Sequence, residues 1–274
     1  MADLEFTRNK ASKDKMRDIE FFEHSYEGGE PYIDKVITKH PKESQANFKR
    51  RKERAVFVNY CQPLVDLYNQ YVFKERIVRT IKGIDTELYM DDADYMRSSH
   101  ESVMRTLSKI ASVKGLCGVV VDKPSGGYET KQDEMDADIH EYISLYEPEH
   151  IYDWTIERVN GGRPTLTMLM LSEGEDTFKV WYEDRWELWV KEGKSGKHKL
   201  VESGDNALGI IPFYLHRNRN ELGIKWFSGL SDIDSIAPVN KLVFYRDCQV
   251  DEIIDGTAFP MLSGSADALA QGKT

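Results

Sequence analysis

The hydrophobic rhythm changes three times along this chain. Residues 1 to about 30 are charged and weakly periodic, ending in "SYEGGEPYI", whose Gly28-Gly29 pair and Pro31 mark an irregular lead-in. From Pro41 a helical pattern begins, "PKESQANFKRRKERAVFVNYCQPLVDLYNQYVF", with Phe48, Ala55, Val58 and Asn59 roughly on one face. Pro41 suits a first helical turn, whereas Pro63 is expected to bend or split the helix, because it lacks an N–H and crowds the preceding turn. A second helix is predicted over "DADYMRSSHESVMRTLSKIASVKG". It has acids in its first turn, Met96, His100, Val103, Leu107 and Ile110 at spacings of three and four, and Gly115 as a stop.

The rhythm then shortens to that of strands. "LCGVVVD" is a nearly continuous apolar run with β-branched residues and reads as a buried strand, followed by a hairpin-type turn, "KPSGGYETK". "EYISLYEP", "HIYDWTIERV", "RPTLTMLMLSE", "TFKVWYED" and "RWELWVKEG" follow, separated by "NGGR" and "EGED", with "GKSGK" after the last. Phe178, Val180 and Tyr182 share one strand face, as do Trp186, Leu188 and Val190, so the stretch reads as one antiparallel meander. The acidic "KQDEMDADIHE" interrupts it as an exposed loop. At Ser231, "SDID" forms a capping-box pattern ahead of a long helix reaching about Asp255, with Pro238 as a bend. Ile233, Ile236, Val243 and Val250 are expected to pack inward, with Asp232, Lys241, Arg246 and Asp251 outward. These elements predict an α+β fold in which long helices flank an antiparallel β meander. The expected divisions are an irregular segment over 1–40, an α/β domain over 41–228 and a helical segment over 229–274.

Charge and cysteine content narrow the classes. The chain has 274 residues, 37 basic against 47 acidic side chains, and a pI near 5.3. Such a chain is not drawn as a whole to DNA or to anionic membranes, so a nucleic-acid role must rest on local patches. Cys61, Cys117 and Cys248 are odd in number and far apart, which suits packing residues in a reducing compartment better than a disulfide framework or a zinc site. The N-terminus lacks the apolar stretch of a signal peptide, and no run approaches ~18 apolar residues, so a soluble intracellular protein is expected.

Each chemical motif has a plainer reading beside it. "EGKS" at 192–195 contains the Gly-Lys-Ser of a phosphate-binding loop, but Leu188 stands where that loop needs its first glycine, and the motif lies between strands. "DDAD" at 91–94 lacks the glycine and glutamate of a calcium loop and reads as helix N-terminal acids. "DEMDAD" with His140 reads as a solvated loop. No H-x-x-x-H or G-x-S-x-G pattern occurs. The densest cluster is "YEPEHIYDW", which gathers Glu147, Glu149, His150 and Asp153. Pro148 breaks the pleat there, so the two glutamates need not converge, and a strand-to-strand corner explains them. The chemical rival is a metal-dependent nuclease or phosphoryl-transfer domain using Asp133, Asp136, Glu147 and Asp153.

The order of these features resembles a bacteriophage portal protein. The likeness runs from the glycine-rich lead-in through the basic helix ending in "YVFKERIVR", then "CGVVVDKPSGGY", "YEPEHIYDW", "VWYEDRWELWV" and "LGIIPFYLHRN". It closes with "SGLSDIDSIAPVNKLVFYRDCQVDEIIDGTAFPML", so that it covers about residues 28–262. Each motif is only a few apolar or turn residues; the likeness lies in their shared order. It implies a wing-like α+β domain with its long C-terminal helix directed toward a stem, and no catalysis, cofactor or metal. It also implies a homo-oligomeric ring of about twelve subunits at the capsid vertex, with double-stranded DNA passing through it. Terminase, capsid and head-to-tail adaptor proteins are the implied partners. The ring is expected in the virion after assembly in the host bacterial cytoplasm. Family chains usually continue through further stem, clip and crown regions, whereas this sequence stops at "ADALAQGKT". Another virion protein, an adaptor or minor capsid component, is the alternative.

Ring subunits meet through two different surfaces, and the sequence offers a complementary pair. Lys49, Arg50, Arg51, Lys52 and Arg54 put five positive charges on one helix, while residues 129–157, including Asp133, Glu134 and Asp136, carry ten acids against Lys131 alone. These residues are the expected subunit interface. Nothing in the sequence marks a DNA-facing surface.

Overall fold

The computed structural model describes residues 6–75, 77, 87–124, 133, 137, 139–158, 161–193, 197–221 and 225–258. The chain forms two compact units, Met1–Glu23 with Pro63–Asp234, and His24–Gln62 with Ser235–Thr274. Helices and antiparallel sheets share the chain, as the α+β reading expects.

The first unit is organised by the apolar run that the sequence marks as a buried strand. Strand β1 (Leu116–Asp122) lies between β2 (Tyr142–Tyr146) and β8 (Phe213–Arg217) in an antiparallel sheet of order β2–β1–β8. Side chains alternate across it. Cys117 and Val119 face helix α6 (His100–Lys114) and join Val103, Leu107, Ala93 and Ile143 in one core. Leu116 and Val120 face the other way, into a core with Ile151, Leu169, Leu171, Trp181, Leu215 and Phe227. That second core is shared with a five-stranded meander. Its strands are β3 (Ile151–Glu157), β4 (Thr165–Gly174), β5 (Thr177–Tyr182), β6 (Arg185–Lys191) and β7 (His198–Asp205), paired in sequence order. The far face of the meander buries Met170, Phe178, Val180 and Trp189, with Phe6 set edge-on against Phe178 and Trp189.

The second unit packs α2 (Gly29–Val36), α3 (Gln45–Arg54), an extended stretch over residues 55–60 and α7 (Ile236–Ala258). Three rings form its centre. Tyr32 stacks on Phe57 at 3.8 Å, and both meet Phe244 edge-on at 5.8 and 5.9 Å. Asn240 clamps the extended stretch, accepting from the Tyr60 N–H at 2.9 Å and donating to the Val58 carbonyl at 2.8 Å.

Several expectations are corrected. Residues 1–40 are not irregular: α1 (Lys10–Glu27) and α2 occupy most of them, separated by Gly28 and Gly29, both at φ 67°. The helix expected from Pro41 is two helices, because residues 55–60 are extended before α4 (Cys61–Val72), and Pro63 sits in the first turn of α4, where its missing N–H costs nothing. "DDAD" does not open a helix. It begins at the last residue of the short α5 (Glu87–Asp91), and the Asp94 carboxylate accepts from the Met96 and Ser98 N–H groups in a loop ahead of Ser99, the true cap of α6. One meander becomes two sheets, since β2 pairs with β1 and not with β3, and β8 pairs with β1 and not with β7. On β6 the buried ring is Trp189, opposite the face of Trp186, Leu188 and Val190. The last helix begins at Ile236, so Pro238 lies in its first turn and bends nothing; it buries Ala237, Asn240, Phe244 and Cys248, leaving Val243 half-buried and Val250 exposed. "KPSGGYETK" from residue 125 and "FPML" lie outside the described residues.

Gly115 ends α6 where the sequence places the stop, in the left-handed region at φ 86°. A Cβ there would stand 2.7 Å from the Gly229 carbonyl oxygen, whereas at Gly161, φ 72°, it would meet nothing within 4 Å. Gly115→Ala should therefore lower the urea unfolding midpoint by the equivalent of ~2 kcal/mol or more, and Gly161→Ala by ~1 kcal/mol. Equal effects of the two substitutions would show that the Gly115–Gly229 approach does not constrain the fold.

Candidate functional site

The "YEPEHIYDW" cluster is the corner where the chain leaves one sheet for the other. Pro148–His150 form a single 3-10 turn between β2 and β3, with Pro148 buried in it. This turn carries Glu147 and Glu149 to the end of α6, where they converge on its last residue, Lys114. The ammonium donates to Glu149 Oε1 at 2.8 Å, to Glu23 Oε1 of α1 at 2.7 Å, and to Glu147 Oε2. Only 6% of the Lys114 side chain is exposed, while each carboxylate keeps about a third of its surface in water. The sequence reading that the glutamates need not converge is thus overturned, because a cation from another element draws them together.

Burial acting alone would pull the Lys114 pKa down. The hydrogen bonds with Glu147, Glu149 and Glu23 outweigh it and raise the pKa above its ordinary value. A lysine held in this state keeps its proton and is neither a Schiff-base nucleophile nor a general base. Glu23, Glu147 and Glu149 are the one group among the described residues with carboxylate oxygens close enough together to hold a metal ion. Their centre is taken by the lysine.

The same corner seats the N-terminal helix. Arg8 donates to the Glu149 carbonyl at 2.7 Å, the Asn9 N–H to the Tyr152 carbonyl at 2.8 Å, and the Ser12 hydroxyl to the Ile151 carbonyl at 3.3 Å. Asn9 Nδ2 donates to Asp153 Oδ1 at 2.9 Å. Of the four carboxylates proposed for a nuclease, Glu147 thus serves Lys114 and Asp153 serves Asn9. Asp133 is exposed, and Asp136 lies outside the described residues. His150 is exposed at the turn. His140 is buried, with its Nε2 2.6 Å from the Asp92 carbonyl.

The other candidate groups are similarly committed. The three cysteines are free and buried; burial pushes the Cys61 thiol up to about 11 and the Cys117 thiol up to about 12, so neither is a thiolate at neutral pH. A cavity of about 560 Å³ beside Trp181 and Trp186 is topped by Lys179, which lies 4.4 Å from the Trp181 ring and 3.1 Å from Asp122.

The basic helix spends its charge within its own unit. Arg51 pairs with Glu43 at 2.8 Å, and that hydrogen bond holds the Glu43 carboxyl at about 2. Lys52 pairs with Asp34 at 2.6 Å, Lys49 with Glu53 at 3.7 Å, and Arg54 with Glu252 at 2.9 Å and with Asp255. Arg50 is exposed and, among the described residues, makes no ion pair. Of the acidic residues expected opposite this helix, Glu134 and Asp136 lie outside the described residues. A purely electrostatic seam therefore has little free positive charge to draw on.

Sequence reasoning missed Lys114 and Glu23. A lysine one residue before a helix-stopping glycine and a fully apolar strand was the available signal, since such a position is hard to keep in water. Glu23 gave none, because its helix was not recognised. No protein-family model and no curated protein sequence matches the chain.

Two outcomes test this assignment. Lys114→Met leaves three carboxylates facing one another and should cost about 3 kcal/mol of unfolding free energy, the low end for a broken buried pair because the acids are partly solvated. Since the folded pKa lies above the unfolded one, the lysine's contribution is complete below its unfolded value of ~10.4 and fades as pH rises past it. The wild type should thus lose stability above that pH more steeply than Lys114→Met in a denaturation series. Separately, EDTA should leave the melting temperature unchanged; a fall of several degrees, reversed by a divalent ion, would restore the metal reading.

Proposed function

We propose that this chain is a bacteriophage portal subunit, one of a ring of about twelve at the capsid vertex through which DNA enters and leaves. On this reading it acts in the virion after assembly in the host cytoplasm, with terminase, capsid and head-to-tail adaptor proteins as partners, and it catalyses nothing. The order of features over residues 28–262 motivates the proposal, and the α+β architecture agrees with it. The occupied carboxylate corner removes the main support for the enzyme alternative.

One structural observation carries the reading further than sequence. Helices α4 and α7 both leave large apolar side chains uncovered, Leu67, Tyr68, Tyr71 and Val72 on the first and Val239, Leu242, Ile253 and Ile254 on the second. An exposed apolar helix face of this extent is costly in a monomer and reasonable in a subunit. No described helix is long and apolar enough to cross a membrane. A net charge of −10 also suits a conduit, because a duplex held by many phosphate contacts would grip where it has to slide.

Light scattering and negative-stain images of the purified protein should show closed rings of about twelve chains. A protein that remains a 31.6 kDa monomer at tens of micromolar would refute the portal reading. Rings with a stoichiometric divalent ion and nuclease activity would refute the non-enzymatic part of it.

A further inference from the structure

The second unit is apolar on two opposite sides. Helix α7 buries Ala237, Asn240, Phe244 and Cys248 as one stripe. At 3.6 residues per turn, Val239, Leu242, Arg246, Val250 and Ile253 fall on the face diametrically across from it. The four apolar members of that outer stripe are each at least half exposed. The buried stripe of α7 packs on the extended residues 55–60, through Phe244 against Phe57 and Asn240 against Val58 and Tyr60. Exposure alternates along residues 55–60. Phe57 turns inward to stack on Tyr32, and Asn59 turns inward to donate to the Tyr26 carbonyl at 2.8 Å. Val56, Val58 and Tyr60 therefore point away from α7, with 70%, 47% and 55% of their surfaces exposed.

We infer that these two faces are the two halves of one seam, the α7 stripe of one copy lying on the Val56–Val58–Tyr60 face of the next. The occupant is a second copy of this chain, for two reasons. A two-fold contact would bring α7 against α7 and leave the other face bare, whereas a head-to-tail contact covers both in every subunit of a closed ring. The area also fits. Together the two faces present on the order of 600 Å² of apolar side chain, a sufficient centre for a standard interface of ~1,600 Å² in total, little more than half of which is apolar. Arg246, the one charged member of the outer α7 stripe, gives that stripe a cation to set over an aromatic ring such as Tyr60. The inference rests on the ring reading for closure, but the seam is read from this unit alone.

Val58→Glu and Leu242→Glu each place a charge on one face at an exposed position, so both variants should melt within a few degrees of the wild type. If either melts lower, Val58→Thr or Leu242→Gln takes its place. Light scattering should give rings for the wild type and 31.6 kDa monomers for each variant alone. An equimolar mixture should give dimers and nothing larger, because the Leu242 variant keeps one good face and the Val58 variant the other. Rings from either single variant would overturn the seam and leave the ring reading standing. A mixture that stays monomeric would overturn the pairing of these two faces. A wild type that is itself monomeric would instead refute the ring reading.

Discussion

A buried ammonium cannot shed its hydration without acceptors to replace it, and the chain supplies three to Lys114 from two places far apart in sequence. Glu23 comes from the N-terminal helix, Glu147 and Glu149 from the turn that joins the sheets. The cation sits at the C-terminal end of α6, where the helix dipole also favours positive charge. One side chain thereby fixes the end of a helix, the corner between two sheets and the seat of α1. The polar contacts of Arg8, Asn9 and Ser12 with the same corner extend that seat along the first turns of the chain.

Close backbone approach depends on the same neighbourhood. Immediately after Lys114, Gly115 lets the chain turn into β1 beneath Gly229, and the Ser231 hydroxyl and the Asp232 N–H both donate to the Ser112 carbonyl. Three residues after Gly115, Gly118 admits the Phe213 ring and Ile151 between the sheets, where any side chain would collide. The core shared by the two sheets is therefore set by small residues at the crossing as much as by the large ones around it. The charged cluster beside this packing is committed in the same way, its three carboxylates each accepting from one ammonium.

The second unit is built on a different principle. Aromatic stacking and one asparagine clamp bind a helix to an extended strip, and four of the five basic residues of α3 are neutralised by acids of the same unit. What remains available to neighbours is apolar surface. In the proposed ring, ionic strength would then matter less to assembly than the sequence suggests, since screening weakens exposed ion pairs but not apolar burial.

The sequence by itself determined the elements whose signal is local. The run Leu116–Asp122 read as a buried strand, Gly115 as the stop of the helix before it, and the alternation of Phe178, Val180 and Tyr182 stated their common face. It also placed the "YEPEHIYDW" turn at a corner. Tertiary structure decided whatever depends on partners distant along the chain. Pairing β8 with β1 splits the expected meander into two sheets, and no local period distinguishes a strand's neighbour in sequence from its neighbour in space. On α7 two apolar stripes lie half a turn apart, so periodicity alone could not say which would be buried; Phe57 and Tyr32 chose the one bearing Phe244. The glutamates of the corner converge only because Lys114 reaches them from 33 residues away, counted from Glu147, and Glu23, 124 residues away, joins them on the same ammonium. Charge and rotamer preferences are written residue by residue, but the low-dielectric site that gives a charge its meaning exists only once the chain has closed around it.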